Sequence, residues 1–320
     1  CSLVGSEMCI RDRFCCVDAD SVLERDSLKR VVRPFIEKPE TVASGGVVRV
    51  LNGCTVDNGF ISKVGIPKNI LALFQVVEYL RAFMFGRLGW SPMNALLIIS
   101  GAFGVFRKAT VISIGGYHTN SIGEDMELVV RMHRSLIEKK TPYSIQFVPD
   151  PVCWTEAPEK LSVLRSQRVR WQIGLAESLT MNMSLLFNRN GGVVSWVAFP
   201  FFLIFECFGP ILEVAGFIIV SYAFYIGLVP NEFFVTFLLL AVGLGILVSV
   251  ISLSLEEVSF RTSNNALEFI LLFLVAVVEN LGYRQLNALW RLSGIIQWVS
   301  RSDRKWGEMT REAGWNGSIQ

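Results

Sequence analysis

The residues of this chain best suited to chemistry are carboxylates, and they come in two tight groups. Asp18-Ala19-Asp20 ends the apolar run Phe14-Cys15-Cys16-Val17, and Glu124-Asp125 follows Gly123. A buried strand that delivers carboxylates at its C-terminal end is where α/β sheets place ligand sites. Alternate residues of an extended chain point the same way, so Asp18 and Asp20 can converge on one cation. Hard oxygen ligands in a pair suit Mg2+ or Mn2+ bridging to a diphosphate. A turn, or a cap to a helix over Ser21–Val32, accounts for the same triplet. Glu124 and Asp125 open a run in which Met126, Val129, Val130 and Met132 recur at helical spacing. Carboxylates in a first turn are favoured by the helix dipole alone. In a site they supply a general base beside an acceptor hydroxyl.

Two further groups carry polar chemistry. Gln167, Arg170 and Trp171 lie at i, i+3 and i+4 after Pro158 and share one face of a predicted helix. An arginine forks onto phosphate oxygens, and an indole stacks on the apolar face of a sugar ring. Taken singly, an Arg-Trp pair reads equally well as a surface cation–π contact. Ser100-Gly101-Ala102 lies between the apolar residues Ile98-Ile99 and Phe103. Small residues there permit close backbone approach to a ligand, or a tight bend between two strands. The segment lacks the G-x-x-x-x-G-K-[ST] pattern of a phosphate loop.

Other chemistries are thinly supplied. The two histidines, His118 and His133, and seven cysteines show no C-x-x-C pair and no zinc-ligand spacing. No G-x-S-x-G elbow is present. Acid–base work therefore falls to carboxylates. The cysteines read as free thiols, with Cys15 and Cys16 packed inside their apolar run.

The elements that must position these residues divide the chain in two. Its 320 residues are 52% hydrophobic and only 18% charged, with a mean hydropathy of +0.45. A soluble domain carries roughly 25% charged residues. The net charge of +2 gives no warrant for nucleic-acid binding, and the apolar content excludes disorder. Up to about residue 190 the texture is that of a mixed α/β domain, with strands predicted at Val47–Leu51 and Ser144–Val148. From Gly192 charges almost vanish. A helix needs about 20 apolar residues to cross a bilayer. Ile211–Val229 and Phe233–Leu255 meet that length, joined by the polar turn Pro230-Asn231-Glu232. Val193–Phe208 is short and aromatic, which suits an interfacial or a crossing helix. Leu267–Val299 begins as a span and turns amphipathic from about Tyr283. The basic tail (Arg301, Arg304, Lys305, Arg311) favours a cytoplasmic C-terminus.

Residues 1–13 have no periodicity of either kind and resemble the read-through of a sequencing adapter. They are expected to be a non-native leader, and the protein to begin further upstream.

The order of these motifs is more specific than any one of them. Asp-x-Asp after a strand, a Ser-Gly bend, Glu-Asp, Gln-x-x-Arg-Trp and then apolar helices resembles the processive family 2 glycosyltransferases, the group of cellulose, chitin, hyaluronan and poly-N-acetylglucosamine synthases. The poly-N-acetylglucosamine synthase-like subgroup is nearest in texture. Val148-Pro149-Asp150-Pro151 and Trp154-Thr155-Glu156-Ala157-Pro158 are similar to the strand and loop before that family's Gln-x-x-Arg-Trp helix. Gly123 departs from the family's usual threonine.

The resemblance implies a truncated GT-A-type α/β nucleotide-sugar transferase domain over 14–191. An all-α membrane region over 192–300 and a cytosolic tail over 301–320 would follow. It implies Asp18 and Asp20 as holders of Mg2+ or Mn2+, and Asp125 as catalytic base with Glu124 beside it. Gln167 and Arg170 would contact the donor diphosphate, Trp171 would stack near the acceptor sugar, and Ser100 and Gly101 would lie by the acceptor terminus. The implied partners are a nucleotide-sugar donor, a polysaccharide or lipid-linked acceptor and membrane lipid. The implied location is the inner (plasma) membrane, multi-pass, with the catalytic domain cytoplasmic. Single-sugar transfer to a lipid and a non-catalytic membrane scaffold are the competing readings. The upstream strands and helices of the family are absent from this sequence, so the piece itself is expected to lack activity.

Overall fold

A computed structural model describes residues 12–119, 121–260 and 266–300. Most of the expected leader and all of the basic tail lie outside the described residues. The α/β part is organised by a five-stranded mixed sheet of order β1-β6-β3-β7-β2. Its strands are β1 (Arg13–Val17), β2 (Val22–Leu23), β3 (Thr41–Val50), β6 (Phe103–Arg107) and β7 (Ser144–Thr155). A separate hairpin of β4 (Thr55–Asp57) and β5 (Phe60–Lys63) stands beside it. β3 is the centre, parallel to β7 and antiparallel to β6. Nearly every residue of β3 is buried, as a strand covered on both faces requires.

Both predicted strands are present, within longer ones. β7 runs on through Pro149-Asp150-Pro151, past the expected end at Val148. The proline-rich stretch is absorbed by register shifts, Gly46 pairing with Val148 and Val47 with Pro151. A bulge lets a residue without an N–H pass without breaking the ladder.

The first strand differs from expectation. β1 is an edge strand in this sheet, antiparallel to β6, and half-exposed rather than buried. Cys15 is accordingly exposed, not packed. The chain then turns through Asp18-Ala19-Asp20, closed by Ser21 N–H donating to the Asp18 carbonyl at 3.0 Å. The helix expected from Ser21 starts instead at Ser27, as α1 (Ser27–Glu37). Val22 and Leu23 pair with Trp154 and Cys153 of β7 first. Sheet pairing has overridden local helical propensity there.

The next helices are α2 (Ile70–Leu80), which runs into a π-helical turn over Arg81–Arg87, then α3 (Glu124–Glu138) and α4 (Leu161–Met181). Between the π-helical turn and β6 the chain is extended without a ladder over 95–100, so the Ser-Gly bend precedes a single strand. Ile99 anchors it. Gly45 and Gly104 face each other across β3 and β6. A Cβ on either would lie 2.6 or 2.9 Å from the Ile99 Cγ2 atom. The missing side chains make a socket that buries Ile99, which contributes about 1.5–3 kcal/mol.

Beyond Gly192 the fold is helical. Val194–Cys207 is broken by π-helical turns and continues into α5 (Gly209–Tyr225) at a bend of 44°. α6 (Asn231–Phe260), α7 (Ala266–Val278) and α8 (Tyr283–Ser300) complete it. Among the described residues one helix, Asn231–Val258, is long and apolar enough by itself to cross a membrane. The pairs Val194–Cys207 with α5, and α7 with α8 (54°), each pass that test together. α5 is shorter than the expected Ile211–Val229 span, because the chain turns at Gly227, in the left-handed region at φ 76°.

The α/β part and these helices are stapled together by ion pairs. Arg49 of β3 pairs with Glu256 of α6. Arg81 pairs with Glu279, between α7 and α8, and also donates to Ser249 of α6 at 2.6 Å. Both glutamates are almost wholly buried. Removing one partner of such a pair costs about 3–5 kcal/mol, because it strands a buried charge.

His133 is a lock within the α/β part. It is fully buried in α3, with Nε2 2.9 Å from the Leu96 carbonyl and Nδ1 2.7 Å from the Tyr143 hydroxyl. A carbonyl only accepts, so Nε2 carries the proton and Nδ1 accepts from tyrosine. Burial holds this imidazole down to about 4. Its folded pKa lies below the ordinary value, so the unfolded chain binds the extra proton and stability falls as pH drops from 6.5 towards 4. Between pH 7 and pH 5 the loss is expected to be about 2 kcal/mol. Denaturation midpoints of the wild type and His133→Gln at the two pH values check this. An equal shift in both proteins contradicts it.

Candidate active site

The carboxylate groups of the sequence meet at the open end of β1. Val17 pairs with Phe103, and the Asp18 N–H donates to the Ala102 carbonyl at 3.2 Å. The Asp-x-Asp turn therefore lies against the Ser100-Gly101-Ala102 bend. The Gly101 N–H in turn donates to Asp125 Oδ2 at 3.0 Å, and the Met126 N–H to Asp125 Oδ1 at 2.7 Å. Asp18, Gly101 and Asp125 thus form one continuous patch. Glu124 adjoins them in the first turn of α3. Ser100 closes the bend by accepting from the Phe103 N–H at 3.2 Å.

Electrostatics make this patch unusual. Burial pushes the Asp125 carboxyl above the ordinary carboxylate value, and the charge of Asp18 adds to it. The N–H groups of Met126 and Gly101 and the cation of Arg87 pull the other way. Glu124 is likewise raised, first by burial and then by Asp125 and Asp18, with Arg170 opposing. Carboxylates placed this close resist ionising together unless a cation joins them. Asp18 is exposed at the rim.

The Gln-x-x-Arg-Trp helix is α4. Its predicted face is graded rather than uniformly open. Gln167 is buried, Arg170 is half-buried and within electrostatic reach of Glu124, and Trp171 is exposed. The cation over the Trp171 ring is Arg168, at 4.3 Å, in place of Arg170. Among the described residues no group of three or more His, Cys, Asp and Glu side chains is arranged to hold a metal ion. Asp18 and Asp20 sit in a turn, so the alternation of an extended strand does not apply to them. They remain two carboxylates in one turn, Asp18 exposed and Asp20 half-buried with its Oδ2 shielded from solvent. That set fits a hard cation whose other positions are filled by water and substrate phosphate.

Several residues around this patch carry no sequence signature. Glu177 of α4 accepts from the Ile122 N–H at 3.0 Å and holds the loop that leads into Glu124. Arg131 pairs with Glu127 at 2.9 Å and donates to the Gly116 carbonyl at 2.6 Å, tying down the loop of Tyr117. The Tyr117 hydroxyl lies 3.0 Å from Cys16 Sγ on β1. Arg87, on the π-helical turn, sits over the Phe83 ring at 3.9 Å, and burial draws its guanidinium down to about 10. All are separated from the motifs they serve by loops or whole elements, which periodicity cannot bridge. Partial desolvation and the neighbouring Cys16 push Cys15 up to about 11, and burial pushes Cys153 up to about 12, far from thiolate character at neutral pH.

Comparison with known proteins identifies a family by sequence. A sequence model of glycosyl transferase family group 2 matches residues 14–275. Poly-beta-1,6-N-acetyl-D-glucosamine synthase of Staphylococcus aureus (strain COL) is 28% identical over 175 residues, 55% of this chain and 38% of that protein. The Staphylococcus epidermidis protein of the same name is 29% identical over 164 residues, 51% of this chain and 35% of that one. Among solved structures, mannosyltransferase PcManGT from Pyrobaculum calidifontis, in complex with GDP-Man and Mn2+, gives a TM-score of 0.46 at 14% identity. The match covers 91% of this chain and 63% of that one. The chain spans little more than a third of the length of these curated relatives.

Gly123, where a threonine was expected from the resemblance, has a packing reason. A Cβ at Gly123 would lie 2.8 Å from Gly174 Cα, and one at Gly174 would lie 2.7 Å from Gly123 Cα. The start of α3 touches α4 backbone to backbone, with Ser178 Oγ donating to the Gly123 carbonyl at 3.3 Å. Gly123→Ala or Gly174→Ala is expected to destabilise the fold by about 1–3 kcal/mol through overpacking. Denaturation midpoints read this directly, and an unchanged midpoint in both variants excludes the close contact.

Proposed function

The chain belongs to glycosyl transferase family group 2, and from that premise we propose that it transfers N-acetylglucosamine from a UDP-linked donor to a growing polysaccharide with inversion at the anomeric carbon. The names of the staphylococcal relatives suggest the sugar. The observation that carries the reading is the Asp125 carboxylate, held by the Gly101 N–H at 3.0 Å beside Glu124 and Asp18. A base must be oriented, close to solvent-accessible space and high enough in pKa to accept a proton. Asp125 meets these terms, because burial raises its pKa while two N–H groups fix its plane.

In this mechanism Asp125 removes the proton from the acceptor hydroxyl as that oxygen attacks the sugar. Glu124 adds negative potential beside it. Ser100 and Gly101 shape the acceptor end through their bend. Gln167 and Arg170 face the donor diphosphate, and Trp171 stacks on the acceptor sugar. Asp18 and Asp20 would hold Mg2+ or Mn2+, which when bound would offset the charge of the leaving diphosphate. Residues 14–191 act as the catalytic domain, and 192–300 as a membrane region. The protein sits in the inner (plasma) membrane as a multi-pass protein with its α/β part in the cytoplasm. Its partners are the nucleotide sugar, the polymer and lipid.

Asp125→Asn keeps the size and shape of the side chain and one of its two N–H contacts, since those N–H groups reach different oxygens, and it removes the base. In the full-length protein turnover is expected to fall roughly 10²–10⁴-fold, while donor affinity is retained. The check is radiolabelled sugar incorporation beside donor binding in the same membranes, and undiminished incorporation refutes the assignment. Product length in the wild-type assay separates the routes, since a polymer ladder excludes single addition to a lipid.

A further inference from the structure

Trp171 is the one aromatic residue of the Gln-x-x-Arg-Trp helix, and 46% of its surface is open. An exposed indole explores several rotamers, and a sugar that stacks on it must pay to order it. This one is not left to itself. The Arg168 guanidinium lies 4.3 Å from its ring centroid, and Arg168 is only 2% exposed. Arg168 Nη2 donates to Glu78 Oε2 at 2.6 Å, and its Nη1 reaches Gln167 Oε1 at 3.3 Å.

Glu78, on α2, is the hub. Its Oε2 also accepts from the Tyr283 hydroxyl at 2.9 Å, and its Oε1 accepts from Asn287 Nδ2 at 3.2 Å. Tyr283 and Asn287 lie on the first turns of α8, just past the bend that follows α7. Arg168 stands 90 residues from Glu78, and Tyr283 stands 205 from it. A single carboxylate therefore connects the helix of the apolar half to the cation beneath the indole.

We propose that Glu78 and Arg168 are positioning residues that set the plane of Trp171 for the acceptor sugar, and that Tyr283 and Asn287 tie this setting to the membrane-side helix α8. The inference deepens the proposed function and rests on its assignment of Trp171 to the acceptor. Arg168 covers one side of the indole and leaves the rest of the ring for the sugar. Lysine cannot replace it, because an ammonium lacks the planar fork that serves Glu78 and the ring together. Glu78→Gln and Tyr283→Phe act on Trp171 through groups that do not touch Gln167 or Arg170, whereas Arg168 also donates to Gln167 Oε1 at 3.3 Å.

The experiment uses the whole chain in lipid nanodiscs and two probes, a β-1,6-linked N-acetylglucosamine pentasaccharide and UDP-N-acetylglucosamine. Affinities for both are measured for the wild type, Trp171→Ala, Glu78→Gln, Arg168→Met, Arg168→Lys and Tyr283→Phe. Trp171→Ala, Glu78→Gln and Arg168→Met are expected to weaken pentasaccharide binding roughly 3–10-fold. UDP-N-acetylglucosamine affinity should stay within about twofold in Trp171→Ala, Glu78→Gln and Tyr283→Phe. Arg168→Lys should recover little of the loss, and Tyr283→Phe, which removes one hydroxyl, should show a smaller loss of the same kind. The indole emission change on pentasaccharide binding, taken as the difference from Trp171→Phe, should shrink in step. Normal pentasaccharide affinity in Glu78→Gln and Tyr283→Phe, with Trp171→Ala impaired, overturns the positioning inference alone. Normal affinity in Trp171→Ala overturns the acceptor reading and this inference with it. Parallel loss of both probes overturns the inference as well, since it marks a general defect of packing. Tyr283→Phe keeps the test decisive if the Arg168 variants fail to fold.

Discussion

A carboxylate buried in an apolar helix is tolerated only where a cation meets it, and the halves of this protein are joined at such meetings. Glu256 and Glu279 lie in or beside helices with few other charges, and each is met by an arginine from the α/β part, Arg49 and Arg81. Within the helical half Arg291 of α8 reaches the part-exposed Glu206 at 3.2 Å, and it also meets Gln172 of α4 at 2.8 Å. Neither half can withdraw without stranding a charge at low dielectric. The helices are thus positioned against the sheet by charge as well as by apolar area. The α2 segment with its π-helical turn, which carries Glu78, Arg81 and Arg87, becomes the spine of the molecule.

Asp125 is the exception that gives the site its character. It is half-buried, and its partners are backbone N–H groups and the more distant charge of Arg87 rather than a direct ion pair. Its proton affinity stays raised where that of a salt-bridged carboxylate would fall. The geometry that maintains this is a chain of backbone contacts. Ile99 sits in the Gly45–Gly104 socket and fixes the Gly101 bend. Gly123 against Gly174 then brings the first turn of α3 up to α4. Small residues do the positioning because only backbone-to-backbone approach is short enough.

Much of this was legible in order and texture. The helix that starts at Glu124, the strand over Ser144–Val148 and the apolar change at Gly192 all follow from periodicity and charge spacing, and the structure contains them. The errors cluster where non-local pairing prevailed. Ser21–Val32 reads as helical, but Val22 and Leu23 joined β7 before the helix could begin. Phe14–Val17 reads as a buried strand, but it lies at an edge of the sheet. Pro149 and Pro151 read as a strand end, and a bulge carried the ladder past them.

The sequence by itself determined the family, the two unlike halves and the carboxylate, amide, guanidinium and indole groups available to the site. Those depend on residue type and short spacing, which are local properties. Tertiary structure alone decided which carboxylate is buried, that Arg168 rather than Arg170 underlies Trp171, and that Glu78 links both to α8. The link through Glu78 depends on contacts between residues 90 to 205 positions apart. Only packing brings such residues to one place, and only there does burial change what a charge can do.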